Sequence, residues 1–153
     1  MRYGYTQVVA NSKIMNIDKV DSATIQLKSA IELFYKSDFV SAITLAGAAE
    51  EIFGKIAINS KGVNAIDIEM DFEKELAPHL KQKTPDRRTV IKSRNRVRNE
   101  LKHNDSGDNP SFKAEIKYEA ECIIERAIRN YLIAFDQLPK DKILLKFIAN
   151  YWI

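Results

Sequence analysis

With 153 residues and 17.5 kDa, the chain has room for one domain and not for two cores of ordinary size, and its 45% apolar and 29% charged residues are the balance of an ordinary globular protein. Five glycines and four prolines are too few for the many turns of a β-sandwich or barrel, and the single cysteine excludes a disulfide framework and any cysteine-based zinc site. The net charge of +3 is mild but uneven: residues 85–103 carry seven basic side chains against two acidic ones, so an anionic partner such as nucleic acid or a nucleotide is expected there.

Val20, Ala23, Leu27, Ala30, Ile31 and Phe34 recur at three- and four-residue spacing, which predicts a first amphipathic helix with Asp18 or Asp21 as its N-cap. After a break at residues 36–38, a second helix is expected over residues 39–58. Its first half, residues 39–49, is almost wholly apolar or small, as befits a central helix buried on most sides; Gly62 lies in the segment that stops it. A short helix follows over residues 67–77, ending before Pro78. Thr84 and Pro85 read as the N-cap and first position of a basic helix running to about His103, with Asp86 at the positive end of its dipole. Residues 104–110 have turn chemistry at nearly every position. A long helix over residues 112–138 carries Ile116, Ala120, Ile123, Ala127, Tyr131 and Phe135 on one face, and Pro139 ends it. The last helix, residues 141–151, shows Leu144, Phe147, Ile148 and Tyr151 on one side. The expected fold is all-α: an up-and-down bundle with four or five main helices, forming a single domain over residues 1–153 with its core in about residues 18–138.

Ala46, Gly47, Glu50, Gly54 and Ala57 fall on one arc of the second helix at ~100° per residue. Small residues there let another helix approach closely, and a carboxylate among them has to be paired. Glu51, with Lys55 one turn on, reads as a solvent-side pair. In the basic helix Val90, Val97 and Leu101 mark the inward stripe, yet Arg94 lies on it with Arg87 and Arg98 to either side. An inward arginine needs a carboxylate or a phosphate. The simplest expectation is a structural Glu50–Arg94 ion pair locking the basic helix onto the central one. At the end of that helix His103 stands beside Arg98, an imidazole for proton transfer next to a guanidinium suited to a phosphate. His79 reads as a surface side chain and Cys122 as packing, and the aromatic end Tyr151-Trp152 suits either core or subunit interface. Nothing points to a metal site or cofactor. No cationic-then-apolar leader occupies residues 1–5 and no uncharged apolar run of about 18 residues occurs, so the expectation is a cytoplasmic protein with no membrane partner.

The helical pattern, the near-apolar run at residues 41–51 and the run Arg98-Asn99-Glu100-Leu101-Lys102-His103 together resemble the HEPN superfamily (higher eukaryotes and prokaryotes nucleotide-binding). Its signature is an arginine, four to six residues, then a histidine, usually with a polar residue directly after the arginine. Arg98, Asn99 and His103 match the four-residue form; starting at Arg96 would put Val97 at the polar position. By helix order the resemblance covers about residues 18–138. It implies a bundle that forms a homodimer in which two motifs face each other across a cleft. It also implies a metal-independent endoribonuclease, often a toxin or defence effector, working without a cofactor. Other members are degenerate, so the alternative it implies is a non-catalytic HEPN-like module that binds RNA, a nucleotide or a partner protein. In the catalytic case His103 moves protons, Arg98 stabilises charge on the phosphate and Asn99 positions one or the other, while Lys92, Arg94, Arg96 and Lys102 hold the RNA backbone. An antitoxin or other protein is a further implied partner. The tyrosine that toxin members commonly carry two residues after the motif histidine is Asp105 here, and Asp105, Asp108 and Glu100 place negative charge beside the cleft.

Overall fold

In the computed structural model, which describes residues 14–105 and 107–152, α1 spans Lys19–Tyr35 and α2 Phe39–Lys61. The Asp18 carboxylate accepts the Asp21 amide at 2.9 Å and starts α1, whose buried residues Ala23, Leu27, Ala30, Ile31 and Phe34 form the expected stripe, with Val20 half-buried at its start. Asp38 caps α2 through the Ser41 amide. This helix runs one turn past residue 58, because only Gly62, at φ 78°, supplies the left-handed residue that closes it. α3 (Ala65–Leu76) begins two residues before the expected start, since Asn64 and Asp67 form a reciprocal capping box.

The basic helix expected over residues 84–103 is two helices, α4 (Arg87–Arg94) and α5 (Arg96–Lys102), separated at Asn95. Thr84 is not the cap. The Asp86 carboxylate takes both the Thr89 amide (3.0 Å) and the Thr89 hydroxyl (2.6 Å), which leaves Pro85 outside the helix. α6 (Ile116–Phe135) is shorter than the expected residues 112–138. It ends where Asp136 turns left-handed, three residues before the proline. α7 (Lys142–Trp152) is the last helix of the described residues. The described residues thus hold seven helices and no strand, an all-α bundle as expected, with one helix more than the six segments anticipated because the basic segment is divided.

α2 lies at the centre, packed chiefly against α6 and α1; α7 rests on α1, α5 on α2, and α3 on α6 and α4. Phe34, Phe39, Phe147 and Tyr151 join α1, α2 and α7 edge to face, while Phe53, Tyr131 and Phe135 join α2 to α6. Leu27, Ile31, Ile43, Phe53, Ile124, Ile128, Leu144 and Phe147 are fully buried, each worth about 1.5–3 kcal/mol relative to exposure. One edge of α2 stays open: Val40, Thr44, Glu51 and Lys55 are exposed, and the expected Glu51–Lys55 pair forms there at 3.2 Å. A second, small core of Ile66, Met70 and Val90, with Ile91 against it, joins α3 to α4. Val97, by contrast, belongs to the main core. The two halves of the basic segment therefore bury their apolar residues in different places. No helix among the described residues is long and apolar enough to cross a membrane.

Candidate functional site

Glu50 sits where the sequence placed it, on the buried arc of α2 between Gly47 and Gly54, and is only 7% exposed. Its two carboxylate oxygens receive different guanidinium groups: Arg98 Nη1 donates to Oε2 at 3.2 Å and Arg126 Nε to Oε1 at 3.1 Å. The amide of Asn130 donates to the Glu50 carbonyl at 3.2 Å and to Oε1 at 3.4 Å, while its own Oδ1 accepts the Ala65 amide at 2.8 Å. Arg126 continues the network through Nη2, which donates to Asn95 Oδ1 at 2.8 Å. Five polar residues thus tie together α2, α5, α6, the start of α3 and the break between α4 and α5. The network sets two guanidinium groups against one carboxyl group.

The expected Glu50–Arg94 pair is not formed. Val90 buries itself in the small core on α3, so Arg94, one turn on, meets that helix and pairs with Glu73 at 3.1 Å and Glu69 at 3.6 Å. Arg98 follows Val97 of the main core and takes the place beside Glu50. The residue type was right and its number was not, because a single continuous helix was assumed across Asn95. Gly47 makes room for the exchange: a Cβ there would lie 2.5 Å from Arg98 Cδ and 3.3 Å from Ile123 Cδ1.

The run from Arg98 to His103 is divided by this arrangement. Arg98 turns inward, its side chain 14% exposed, whereas Asn99 and His103 are exposed. His103 is the C-cap of α5 with extended backbone, and its N–H donates to the Asn99 carbonyl at 3.1 Å, so the two outward residues stand one turn apart. No hydrogen bond or ion pair joins Arg98 to His103 among the described residues.

The four cations expected to hold RNA are scattered. Lys92 lines an open groove along α4 and α5. Arg94 is engaged with α3. Arg96 donates to the Lys113 carbonyl at 3.4 Å, and the Glu51 carboxyl is held below its ordinary value first by the Lys55 hydrogen bond, against burial, then by the charges of Lys55 and Arg98, with Lys102 adding the least. A groove of about 620 Å³ between α3, α6 and α7, with Ile68, Leu132 and Tyr151 in its walls, contains none of the expected site residues. His79 is exposed, as expected. Burial pushes the Cys122 thiol up, against a hydrogen bond from Tyr118, so it is no ready thiolate.

Arg126 and Asn130 escaped the sequence reading. Their signal was present: two polar residues four apart on α6, each next to the apolar stripe of Ile123, Ala127 and Tyr131, opposite a helix already known to carry a buried carboxylate. The chain matches no protein-family model, and no curated protein and no solved structure is significantly similar to it.

Proposed function

We propose that this protein is a metal-independent endoribonuclease of the HEPN type, acting as a homodimer whose active site lies at the subunit cleft. The observation that carries this reading is the division of the Arg98–His103 run. One cation is held rigidly by a buried carboxylate, while an amide and an imidazole stand in solvent at the same helix end. Preorganised positive charge is what a phosphate needs as charge develops on it, and a proton-transfer group has to be reachable by substrate. The excess cation in the Glu50 network leaves Arg98 suited to bridge Glu50 and a substrate phosphate.

In this mechanism His103 of one protomer takes the proton from the RNA 2′-hydroxyl, and the 2′-oxygen attacks the phosphorus. The P–O5′ bond breaks, and the leaving oxygen is protonated by His103 of the second protomer. The products carry 2′,3′-cyclic phosphate and 5′-hydroxyl ends. A base, an acid and a cation complete this reaction, and a symmetric dimer supplies two imidazoles. A role as a toxin or defence effector, restrained by an antitoxin or other protein partner, follows from the same reading. It predicts that overexpression of the wild type slows growth and that His103→Ala does not.

A second reading, a non-catalytic module that binds RNA, a nucleotide or a partner protein, is favoured by one observation. Glu100, Asp105 and His103 are all exposed at this end, with two carboxylates within three residues of the imidazole in sequence. The test is incubation of a mixed RNA pool in EDTA with wild type and with His103→Ala, at protein concentrations where the dimer forms. Cleavage by wild type alone, with cyclic phosphate ends, is expected. Intact RNA with both proteins would replace the enzyme by the binding module.

A further inference from the structure

Arg88, Lys92, Asn95 and Asn99 follow one another at spacings of four, three and four residues, so they form one stripe along α4 and α5. With Arg87 and Ile91 they line an open groove of about 550 Å³, and no carboxylate lines it. Arg87, at the rim, is engaged with Asp67 at 2.8 Å. Arg88 and Lys92 are exposed and make no ion pair among the described residues. Asn95 is directional: its Oδ1 is taken by Arg126 at 2.8 Å, so the NH₂ is the part of that amide left for the groove. Ile91, half-buried against the small core, adds an apolar floor.

Cations and donors without acceptor charge select an anion. The eleven steps from Arg88 to Asn99, across α4 and α5, extend up to about 16 Å at helical rise, which suits an extended polyanion better than a single phosphate. An aliphatic floor between cations accommodates flat, weakly polar groups alternating with the charges. One turn past Asn99 stands His103.

We propose that single-stranded RNA lies along this groove, its phosphates against Arg88 and Lys92 and its path leading over Asn95 and Asn99 to His103. The choice of RNA among polyanions rests on the ribonuclease reading above. The groove assigns binding roles to Arg88 and Asn95, which the sequence did not single out, and removes them from Arg94 and Arg96, whose guanidinium groups are engaged with α3 and with the Lys113 carbonyl.

The test uses the full chain and a short, labelled, mixed-sequence RNA, 2′-O-methylated throughout so that it cannot be cut. Its affinity is measured by fluorescence anisotropy in EDTA over a series of salt concentrations. Removing two phosphate contacts in Arg88→Ala/Lys92→Ala should make the slope of log affinity against log salt shallower by about 1.4. Arg94→Ala should keep the wild-type slope. Asn95→Asp, which retains an oxygen for Arg126 but replaces the donor, should bind about tenfold more weakly with an unchanged circular dichroism spectrum. An unchanged slope in the double variant, a slope lost in Arg94→Ala instead, or a wild type that binds no RNA would each overturn the proposal. Cleavage of unmodified RNA is read separately. A shallower slope without cleavage sustains the groove and removes the nuclease, and cleavage with an unchanged slope does the reverse.

Discussion

Glu50 accepts from Arg98, Arg126 and Asn130 at once, and taking three charges out of water is compensated only because every oxygen is engaged. Glu50→Ala leaves Arg126, 4% exposed, without its carboxylate, and the expected loss is about 3–5 kcal/mol in urea denaturation. Glu50→Gln keeps the shape and one acceptor oxygen, so it should cost less than Glu50→Ala. On the proposed nuclease reading it should nevertheless lower RNA cleavage by releasing the Arg98 guanidinium, and a Glu50→Gln that cleaves as well as wild type would show that Arg98 needs no carboxylate to hold it. Cys122 offers a second check at this scale. Its thiol is raised by burial, the neutral form being favoured in the folded chain, so reaction with a disulfide reagent near pH 8 should be far slower than in the urea-unfolded chain. Equal rates would mean that α6 does not shield it.

Helix boundaries followed local chemistry where that chemistry is short-range. The cap at Asp18, the stop at Gly62 and the wide turn-forming segment after His103 are written in single residues, and the helices obey them. The start of α4 was misplaced because Thr84-Pro85 and Asp86 compete for the same role; Asp86 prevails by reaching both the amide and the hydroxyl of Thr89. Those same bonds, the hydroxyl first, hold the Asp86 carboxyl below its ordinary value. The sign follows: the unfolded carboxyl titrates at about pH 3.9 and the folded one lower. The stabilisation of α4 is therefore complete above about pH 4 and is lost as pH falls through the folded value. Amide exchange in α4 should accelerate relative to α6 as pH falls below about 4, and Asp86→Asn, which caps without titrating, should abolish that difference. The break at Asn95 was invisible locally, and the Asn95 side chain there is held by Arg126, thirty-one residues away on α6.

Across the whole molecule, two cores of unequal size divide the labour. Phe53→Ala, in the seam between α2 and α6, should lower global stability by about 3–5 kcal/mol. Met70→Ala, in the small core, should cost about 2 kcal/mol and be felt first as faster amide exchange in α3 and α4, with α2 and α6 still protected. Uniform acceleration in all helices would mean that the two cores melt as one. The same division decides where the basic charge goes. Arg87 and Arg94 are paired with carboxylates of α3 and Arg98 with Glu50, so the cations of the segment without a carboxylate partner among the described residues are Arg88, Lys92, Arg96 and Lys102. The all-helical class, the central place of α2, the buried arc around Glu50 and the cationic segment were legible in the chain alone, because hydrophobic period, glycine and proline scarcity and charge counts act over a few residues. Which arginine meets Glu50, that a second one joins it from α6, and which cations are left without a carboxylate depended on how helices distant in sequence pack, for an ion pair is chosen by the core that each neighbouring apolar residue enters and not by the order of charges along the chain.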